Sequence, residues 1–310
     1  MRLSRPTPRA AVAVLSVCLM VAVAACSSSS KSTTTAGTTG GTSGGSGASS
    51  NCTAASKVPD KIKSAGSMAA ATDASYAPNE FIGTNGSTIE GMDIDLGNAI
   101  AKQLGSSMKW QNVKFDSIIP GIGTRYDISL SSFSVTAERE KQVCMVSYFT
   151  AGTSFYVQTG KNQDLTSLDA LCGKNVAVET GTTQADDATA QSKKCTDAGK
   201  GKVNVLSFPD QNGANLALSS GRADVVMADS PVAAYAAKQS DGKFEVIGQP
   251  YGTAPYGIVL PNTSEYAGLA SAVLDALKTL DQNGTYKQIL TKWGVQAGAI
   301  SDFAINPASS

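Results

Sequence analysis

The sequence predicts an α/β fold of two lobes, in which each lobe is a sheet flanked by helices and the chain crosses twice between them. Short apolar strands alternate with helical patterns, as in the strand–helix units that build parallel sheets. The alternation stops near residues 150–157 and then restarts, which indicates a second lobe. A passage rich in Gly and Pro at residues 248–256 precedes one more strand and two amphipathic helices. We therefore expect the C-terminal part to rejoin the first lobe.

The first lobe begins with an apolar strand at residues 68–72. A helix is expected next, because Leu96, Ile100 and Leu104 fall on one helical face and Gly105 suits its C-terminal cap. The remaining elements of this lobe are a strand at 108–113, a helix containing Ile118, Ile119 and Ile122, and a strand at 126–130.

The second lobe is expected to contain four strands, at residues 175–179, 203–208, 224–228 and 244–247. The returning chain then forms a strand at 256–260 and helices at 266–280 and 286–293. These positions predict that residues 58–152 and 254–310 form the first lobe and that residues 153–253 form the second.

The N-terminal segment is typical of an exported protein. Three arginines precede an apolar run at residues 10–25 that is too short to span a bilayer comfortably, so residues 1–25 are interpreted as a secretory signal. The small residues before Cys26 resemble a bacterial lipobox, in which this cysteine carries the lipid. The alternative is ordinary cleavage nearby, with Cys26 a spare thiol. Residues 26–57, dominated by Ser, Thr and Gly, are expected to form a flexible tether.

Composition and charge limit the possible functions. The formal net charge of the chain is zero, which argues against nucleic acid as a partner. The chain has no histidine, and so it lacks the commonest general base and the usual zinc and iron ligand. We expect no metal and no cofactor, a monomer, and a connection to the membrane through the lipid anchor only.

Four cysteines remain in the mature chain. Pairing is the default in an exported protein, and none of the four forms the C-x-x-C spacing of a metal cluster. We favour a disulfide between Cys172 and Cys195, because they flank one strand and one helix. A disulfide between Cys52 and Cys144 then follows by elimination.

Polar side chains follow three of the predicted strands. The ligand crevice of an open α/β sheet forms beyond the carboxyl ends of its strands, so the loops at 131–139, 180–184 and 229–231 are candidates. The planar guanidinium of Arg139 can hold a carboxylate with two parallel hydrogen bonds. Alternatively, Arg139 is a solvated member of the charged run at 138–141.

Two of these loops enter helices. Residues 181–183 lie where unpaired backbone N–H groups favour an anion, so Thr183 is a candidate donor, although plain helix capping by threonine is the alternative. Ser230 at the N-cap and Pro231 at the next position supply a complete helix start. Asp229 is then free to bind an ammonium group, unless it satisfies the helix dipole instead.

Two aromatic residues are candidate walls for the side chain of a ligand. Tyr76 follows the first strand, and Phe115 precedes a predicted helix. The alternative is that both are core residues, the usual role of a lone aromatic side chain.

Taken together, these segments resemble the bacterial solute-binding proteins of family 3, the polar amino acid receptors of ABC importers. The resemblance covers nearly everything from Val58 onward. The segments that carry it are residues 73–78, 91–96, 115–120, 131–139, 181–184 and 221–229. It implies a type II-like, two-lobed periplasmic-binding-protein fold.

The resemblance also implies roles for single residues. Arg139 and Thr183 would hold the α-carboxylate of an amino acid, and Asp229 would hold its α-ammonium group. Tyr76 and Phe115 would sandwich the side chain. Further polar contacts would come from Ser131, Ser132 and Ser134.

Asp73 matches an acid that contacts the distal end of the ligand in several family members. It could pair with a cationic side chain, which is slightly favoured, or accept a hydrogen bond from an amide. The expected function is therefore capture of a polar L-amino acid by lobe closure and its delivery to the membrane permease of an ABC importer. The protein is expected to be exported and lipid-anchored to the outer face of the cytoplasmic membrane.

Two other functions use the same fold. A periplasmic dehydratase would use a crevice carboxylate as a general acid, and a sensor would need a signalling module after the lobes. The absence of histidine, the amino acid clamp and the expected anchor favour a binding protein over an enzyme.

Overall fold

The computed structural model describes residues 51–308. The predicted signal at 1–25, the lipidation site Cys26 and most of the tether at 26–57 lie outside the described residues. Within residues 51–308, no helix has the length and apolar character needed to cross a membrane.

Within residues 51–308 the main sheet contains the eight strands β1 Met68–Thr72, β5 Met108–Asn112, β6 Ile128–Ser129, β7 Val143–Gln158, β8 Asn175–Glu179, β9 Asn204–Phe208, β10 Val225–Asp229 and β11 Phe244–Pro261. Their order across the sheet is β5-β1-β6-β11-β7-β10-β8-β9. A second sheet contains β2 Ser75–Tyr76, β3 Glu80–Ile82 and β4 Ile89–Glu90. The strands at each end of the main sheet are parallel, as the alternation of strands and helices predicted.

Helices cover the sheet. They are α1 Asp60–Ala65, α2 Met92–Gln103, α3 Ile118–Gly121, α4 Ala137–Glu140, α5 Thr183–Asp197, α6 Gln211–Ser219, α7 Ser230–Gln239, α8 Leu269–Gln282 and α9 Thr285–Trp293. Leu96 and Ile100 are fully buried on the inner face of α2. Gly105 follows the end of this helix with φ +67°, a conformation that favours glycine.

The two crossing passages are single long strands. β7 runs through residues 150–157, and β11 joins the strands predicted separately at 244–247 and 256–260. The two strands pair with each other in antiparallel orientation, and shifts of register between Ile247 and Gly257 accommodate the Gly- and Pro-rich stretch. Their mutual hydrogen bonds explain why a passage with weak strand composition is still a strand.

Each end of this long pair belongs to a different lobe of the two-lobed fold. At one end β11 pairs with β6 through Val259 and Ser129, and at the other end β7 pairs with β10 from Thr153 to Tyr156. The C-terminal helices α8 and α9 pack on α2, beside the first strands of the chain. The predicted lobe boundaries fall within β7 and β11 and stay a prediction.

Both expected disulfides are present. One joins Cys52 to Cys144 at the start of β7, and the other joins Cys172 to Cys195 in α5. The first disulfide links Cys52, near the end of the predicted N-terminal tether, to strand β7 of the main sheet. The second closes a loop within the hydrophobic cluster that packs under β8.

Candidate ligand-binding site

The residues predicted for the ligand converge on one crevice between the lobes. The crevice is lined by Asp73, Tyr76, Glu80, Phe115, Ser131, Ser132, Ser134, Arg139, Glu179, Thr182, Thr183, Gln184 and Asp229. This set contains every residue predicted for the ligand and adds Glu80, Glu179, Thr182 and Gln184. The crevice lies beyond the carboxyl ends of strands from both lobes, where a ligand site is expected in an open α/β sheet.

Arg139 is held at the crevice by the short helix α4. Its Nη1 donates to the carbonyl oxygen of Ser134 at 2.7 Å, and its Nη2 donates across the crevice to Gly181 at 3.1 Å. Its guanidinium also lies over the rings of Phe115 and Phe133, which stack on each other 4.2 Å apart. Burial lowers the pKa of Arg139 to about 10, so the side chain stays cationic at neutral pH.

The loop after β8 separates two roles that the sequence left open for threonine. Thr182 is the N-cap of α5, and its hydroxyl accepts from the backbone N–H of Ala185 at 3.2 Å. Thr183 is therefore not needed as the cap and lies at the crevice. Gly181 precedes them with φ +81°, and a Cβ there would lie 2.9 Å from Cβ of Asp116. Glycine thus permits the close approach of this loop to the opposite wall.

Asp229 differs from the prediction in its place at the helix start. Asp229 is the last residue of β10 that pairs with β7, where it lies opposite Thr153. The helix begins at the next residue, Ser230, and Asp229 occupies the N-cap position. Pro231 is then the second helical residue, where a missing N–H still costs no intrahelical bond. The carboxylate of Asp229 makes no capping bond.

The Asp229 carboxylate is directed into the crevice instead. Its Oδ1 accepts from Nε2 of Gln184 at 2.8 Å, and the same amide donates to Thr153 at 2.9 Å. Burial raises the pKa of Asp229 to about 6, while the contact with Gln184 and the charge of Arg139 oppose that rise. Gln184 therefore orients the carboxyl group of Asp229 within the crevice.

Tyr76 connects the two walls of the crevice. Its hydroxyl accepts from the backbone N–H of Asp229 at 2.9 Å, although the two residues belong to opposite sides of the crevice. Its ring packs in the hydrophobic cluster of the second lobe. Tyr76 and Phe115 are both buried and both line the crevice, so each combines a packing role with a position beside the ligand space.

Two carboxyl groups form an acidic part of the crevice. Asp73 is 4% exposed, and its Oδ2 accepts from the backbone N–H of Phe115 at 3.1 Å. Glu179, the last residue of β8, is 3% exposed and lines the same crevice as Asp73. Burial raises the pKa of both groups, and the charge of Asp73 raises that of Glu179 further. Oε1 of Glu179 has no hydrogen-bond partner among the described residues.

The three predicted serines lie on the first-lobe wall. Oγ of Ser131 accepts from the backbone N–H of Asp73 at 2.9 Å, and the hydroxyls of Ser131 and Ser132 donate to the carboxyl group of Glu80. Ser134 contributes its carbonyl oxygen to Arg139. The hydroxyls of Ser131 and Ser132 therefore make hydrogen bonds within the protein, and these bonds hold in place the wall against which a ligand would lie.

Four residues that line the crevice were not predicted from the sequence. Glu179 could have been found, because it ends a buried strand at the edge where the crevice forms. Gln184 and Thr182 lie in a loop that was selected, but the sequence does not show which of its side chains face inward. Glu80 lies in a short strand of the second sheet that was not predicted. In residues 51–308 no group of acidic and cysteine side chains is arranged to hold a metal ion.

A two-lobed α/β fold with a polar crevice at the lobe interface is typical of solute-binding proteins. The family of bacterial extracellular solute-binding proteins, family 3, matches residues 68–296. The chain belongs to this family, as the resemblance in its sequence predicted, and is therefore of an extracytoplasmic class.

Several relatives have names that state a ligand. The arginine-binding protein ArgT of Corynebacterium glutamicum is 33% identical over 252 residues, which cover 80% of this chain and 81% of that protein. An ancestral arginine-binding protein, solved with arginine bound, is 34% identical with a TM-score of 0.67 and covers 74% of this chain and 98% of its own. An ancestral amino acid-binding protein, described as a precursor of cyclohexadienyl dehydratase, is 32% identical with a TM-score of 0.67 and covers 76% and 98%.

Proposed function

We propose that this protein binds L-arginine in the crevice and delivers it to the membrane permease of an ABC importer. The observation that carries the proposal is the pair of buried carboxyl groups of Asp73 and Glu179. Two buried acids in one crevice are unfavourable unless they carry a proton or meet a cation. A cationic side chain between them would remove that cost.

The other charged groups of the crevice match the backbone end of an amino acid. Arg139 supplies a planar cation for the α-carboxylate, with Thr183 and the start of α5 as further donors. Asp229 supplies a buried anion for the α-ammonium group. An amino acid with a neutral side chain would bind Arg139 and Asp229 through its α-carboxylate and α-ammonium groups. It would leave Asp73 and Glu179 without a cation between them.

A guanidinium fits the acidic part better than an ammonium group. It is planar and presents paired N–H donors, so it can serve two carboxylates at once. It can also stack on aromatic faces, and Tyr76 and Phe115 line the same crevice. The relatives named as arginine-binding proteins support this choice.

Calorimetric titration tests the ligand directly. Arginine should bind most tightly, and citrulline, a neutral ligand of nearly the same shape, should bind more weakly by on the order of 2 to 5 kcal/mol, the usual cost of leaving a buried charge unpaired. Lysine, glutamine and glutamate complete the series. Equal affinity for arginine and citrulline, or binding of acidic amino acids only, would overturn the proposal.

We propose that β7 and β11 form the hinge, with residues 58–152 and 254–310 on one side and 153–253 on the other. Binding would then favour a closed arrangement of one monomer, since only closure brings Arg139 and Asp229 onto the same ligand. Small-angle X-ray scattering should show contraction without a change of mass when arginine is added. An unchanged radius of gyration, or a doubled mass, would contradict this.

We propose that Cys26 carries a lipid that holds the protein at the outer face of the cytoplasmic membrane. Support comes from the lipobox-like residues before it and from the Ser-, Thr- and Gly-rich tether after it. Mass spectrometry of the protein from its native membrane should find Cys26 at the N-terminus with acyl chains. The Cys26→Ser variant is expected in the soluble fraction. Recovery of the wild-type protein in that fraction as well would count against the lipid anchor.

We propose binding without catalysis. The crevice offers a complete set of charges for an amino acid, and the similarity to a precursor of a dehydratase is to a protein described as amino acid-binding. Incubation of the purified protein with prephenate should leave the substrate unchanged. Turnover that is abolished by Glu179→Gln would establish an enzyme instead.

A further inference from the structure

Two buried carboxyl groups lie behind the serines of the crevice wall. Glu80 lies in β3 and is 1% exposed, and Asp93 lies in the first turn of α2 and is 0% exposed. Both carboxyl groups bind Ser132, Glu80 through the serine hydroxyl and Asp93 through the backbone N–H. Two buried carboxyl groups held at one residue are stable together only when one of them carries a proton, because two carboxylates repel each other away from water and have only acceptors to offer.

The surrounding contacts show which group holds that proton. Asp93 accepts from the hydroxyl of Tyr148 at 2.7 Å and from the backbone N–H of Ser132 at 2.9 Å, so it is surrounded by donors as an ionised carboxylate requires. Glu80 accepts only longer bonds, from the hydroxyls of Ser132 at 3.2 Å and Ser131 at 3.4 Å. An ionised Asp93 with a protonated Glu80 satisfies all of these contacts.

The electrostatic surroundings agree with that assignment. Burial raises the pKa of Glu80 well above its ordinary range, and the charges of Asp93 and Asp73 raise it further. Burial also raises the pKa of Asp93, to about 6, and the bonds from Tyr148 and Glu80 oppose the rise. The titratable groups that face the pair of Glu80 and Asp93 among the described residues are Asp73, which follows β1, and the phenol of Tyr148 in β7.

The pair holds a strained corner of the backbone. Ser132 has φ +51°, a left-handed conformation that is uncommon for a residue with a side chain. Its N–H is bound by Asp93, and its hydroxyl lies between Glu80 and the amide of Asn79, which donates to it at 2.9 Å. Ser131, the preceding residue, is bound to the same carboxyl group. Both serines face the crevice, so the acid pair fixes the wall from behind.

We propose that Glu80 is a protonated positioning residue, whose hydroxyl donates to Asp93 so that the pair holds the corner at Ser131 and Ser132 in the conformation that accepts an amino acid. This inference rests on the proposed function of the crevice. The competing arrangement is an ionised Glu80 that itself binds the ammonium group of the ligand, since Glu80 also lines the crevice.

Isosteric variants separate the two arrangements. Glu80→Gln replaces a protonated acid by a neutral amide that still donates to Asp93 and accepts from the serines, so it should retain arginine affinity within about fivefold. Glu80→Ala should lose more than that, because it removes the group that accepts from the hydroxyls of both serines and that donates to Asp93. Asp93→Asn should lose as much as Glu80→Ala, since it turns a donor toward the donors from Tyr148 and Ser132. Loss of affinity in Glu80→Gln equal to that in Glu80→Ala would overturn the proposal in favour of an ionised Glu80.

Two measurements without any ligand keep this inference separate from the proposed function. In difference infrared spectra the ligand-free wild-type protein at neutral pH should show the carbonyl stretch of a protonated carboxylic acid that Glu80→Gln lacks. The raised pKa of Glu80 means that the folded state keeps a proton that the unfolded state loses, so this group's contribution to stability should fall as pH rises above its ordinary pKa and be absent in Glu80→Gln. If no such band or pH dependence is found, the proton assignment is wrong. If both are found but no amino acid binds, only the proposed function fails.

Discussion

Nζ of Lys114 lies 2.7 Å from Oδ2 of Asp210, and this ion pair joins the two walls of the ligand crevice. Lys114 follows β5, and Asp210 is the N-cap of α6, where its other oxygen accepts from Gly213 at 2.9 Å. The backbone N–H of Gln211 donates to Oγ of Ser75 at the same seam. These contacts exist only when the walls are together, so they stabilise the closed arrangement.

Replacement of Lys114 by methionine should weaken this closed arrangement. The pair is largely exposed, so its loss is worth about 0.2 to 1 kcal/mol, or up to about fivefold in affinity. The change should appear mainly as faster dissociation of arginine in stopped-flow measurements and should shrink at high salt. Lys141→Met is the matched control, because its partner Glu138 lies on the same wall. Equal dissociation rates in both variants would show that Lys114 has no part in closure.

Arg139 and Asp229 should each be essential for affinity but not for folding. Arg139→Ala strands the α-carboxylate, and Asp229→Ala leaves the α-ammonium group unpaired, so each should cost on the order of 2 to 5 kcal/mol of binding free energy. Calorimetry gives the affinity, and the melting temperature of the ligand-free protein is the control for folding. Unchanged affinity in a folded variant would remove that residue from the site.

Glu179→Gln should change specificity. It removes one of two facing acids, so arginine should bind less tightly while citrulline keeps or gains affinity, and the ratio between the two ligands should fall by at least about tenfold. Since burial and Asp73 raise the pKa of Glu179, the folded protein favours the protonated form of this group, which the unfolded protein loses as pH rises. The neutral amide of the ligand-free variant avoids that cost, and the variant should melt no earlier than the wild type. Glu138→Gln, an exposed neighbour of the site, is the control. An unchanged ratio would place the ligand's side chain elsewhere.

Arginine affinity should rise with pH through the region around 6. The pKa of Asp229 is about 6 without a ligand, and only the ionised carboxylate pairs with an ammonium group. Below that pH, binding must first remove a proton, so affinity should fall by up to about tenfold per pH unit and protons should be released on binding. Calorimetry in buffers of different ionisation enthalpy measures that release. Proton uptake, or a flat profile from pH 5 to 7, would mean that Asp229 is not the ammonium ligand.

Removal of the disulfide between Cys172 and Cys195 should reduce stability without reducing affinity. The two cysteines are 23 residues apart, and a loop of about that length contributes about 3 kcal/mol in the chain-entropy description. A double alanine variant avoids burial of a new polar group, because Cys195 is buried. Denaturant unfolding measures the loss, and arginine titration is the control. A free energy of unfolding equal to that of the wild type would show that the bond is dispensable.

Local sequence patterns predicted several elements closely. The strands Met68–Thr72 and Asn175–Glu179 have the predicted bounds, because each is a short apolar run with clear breaks on both sides. The prediction of Ser230 as the helix N-cap was wrong by one residue, because the helix begins at Ser230 and Asp229, the last residue paired with β7, occupies the N-cap position. The strand β11 was divided in the prediction, because only pairing with β7 reveals that its irregular middle is still extended.

The sequence by itself determined the α/β class, the two lobes and the family, because periodicity and motifs are properties of neighbouring residues. It also selected the loops that hold Arg139, Thr183 and Asp229, since each follows a strand. Only the tertiary structure decided that Glu179 and Asp73 are buried in one crevice and that Glu80 and Asp93 both bind Ser132 behind it. Those pairs come from distant parts of the chain, and their chemistry depends on burial and on charges that no local pattern records.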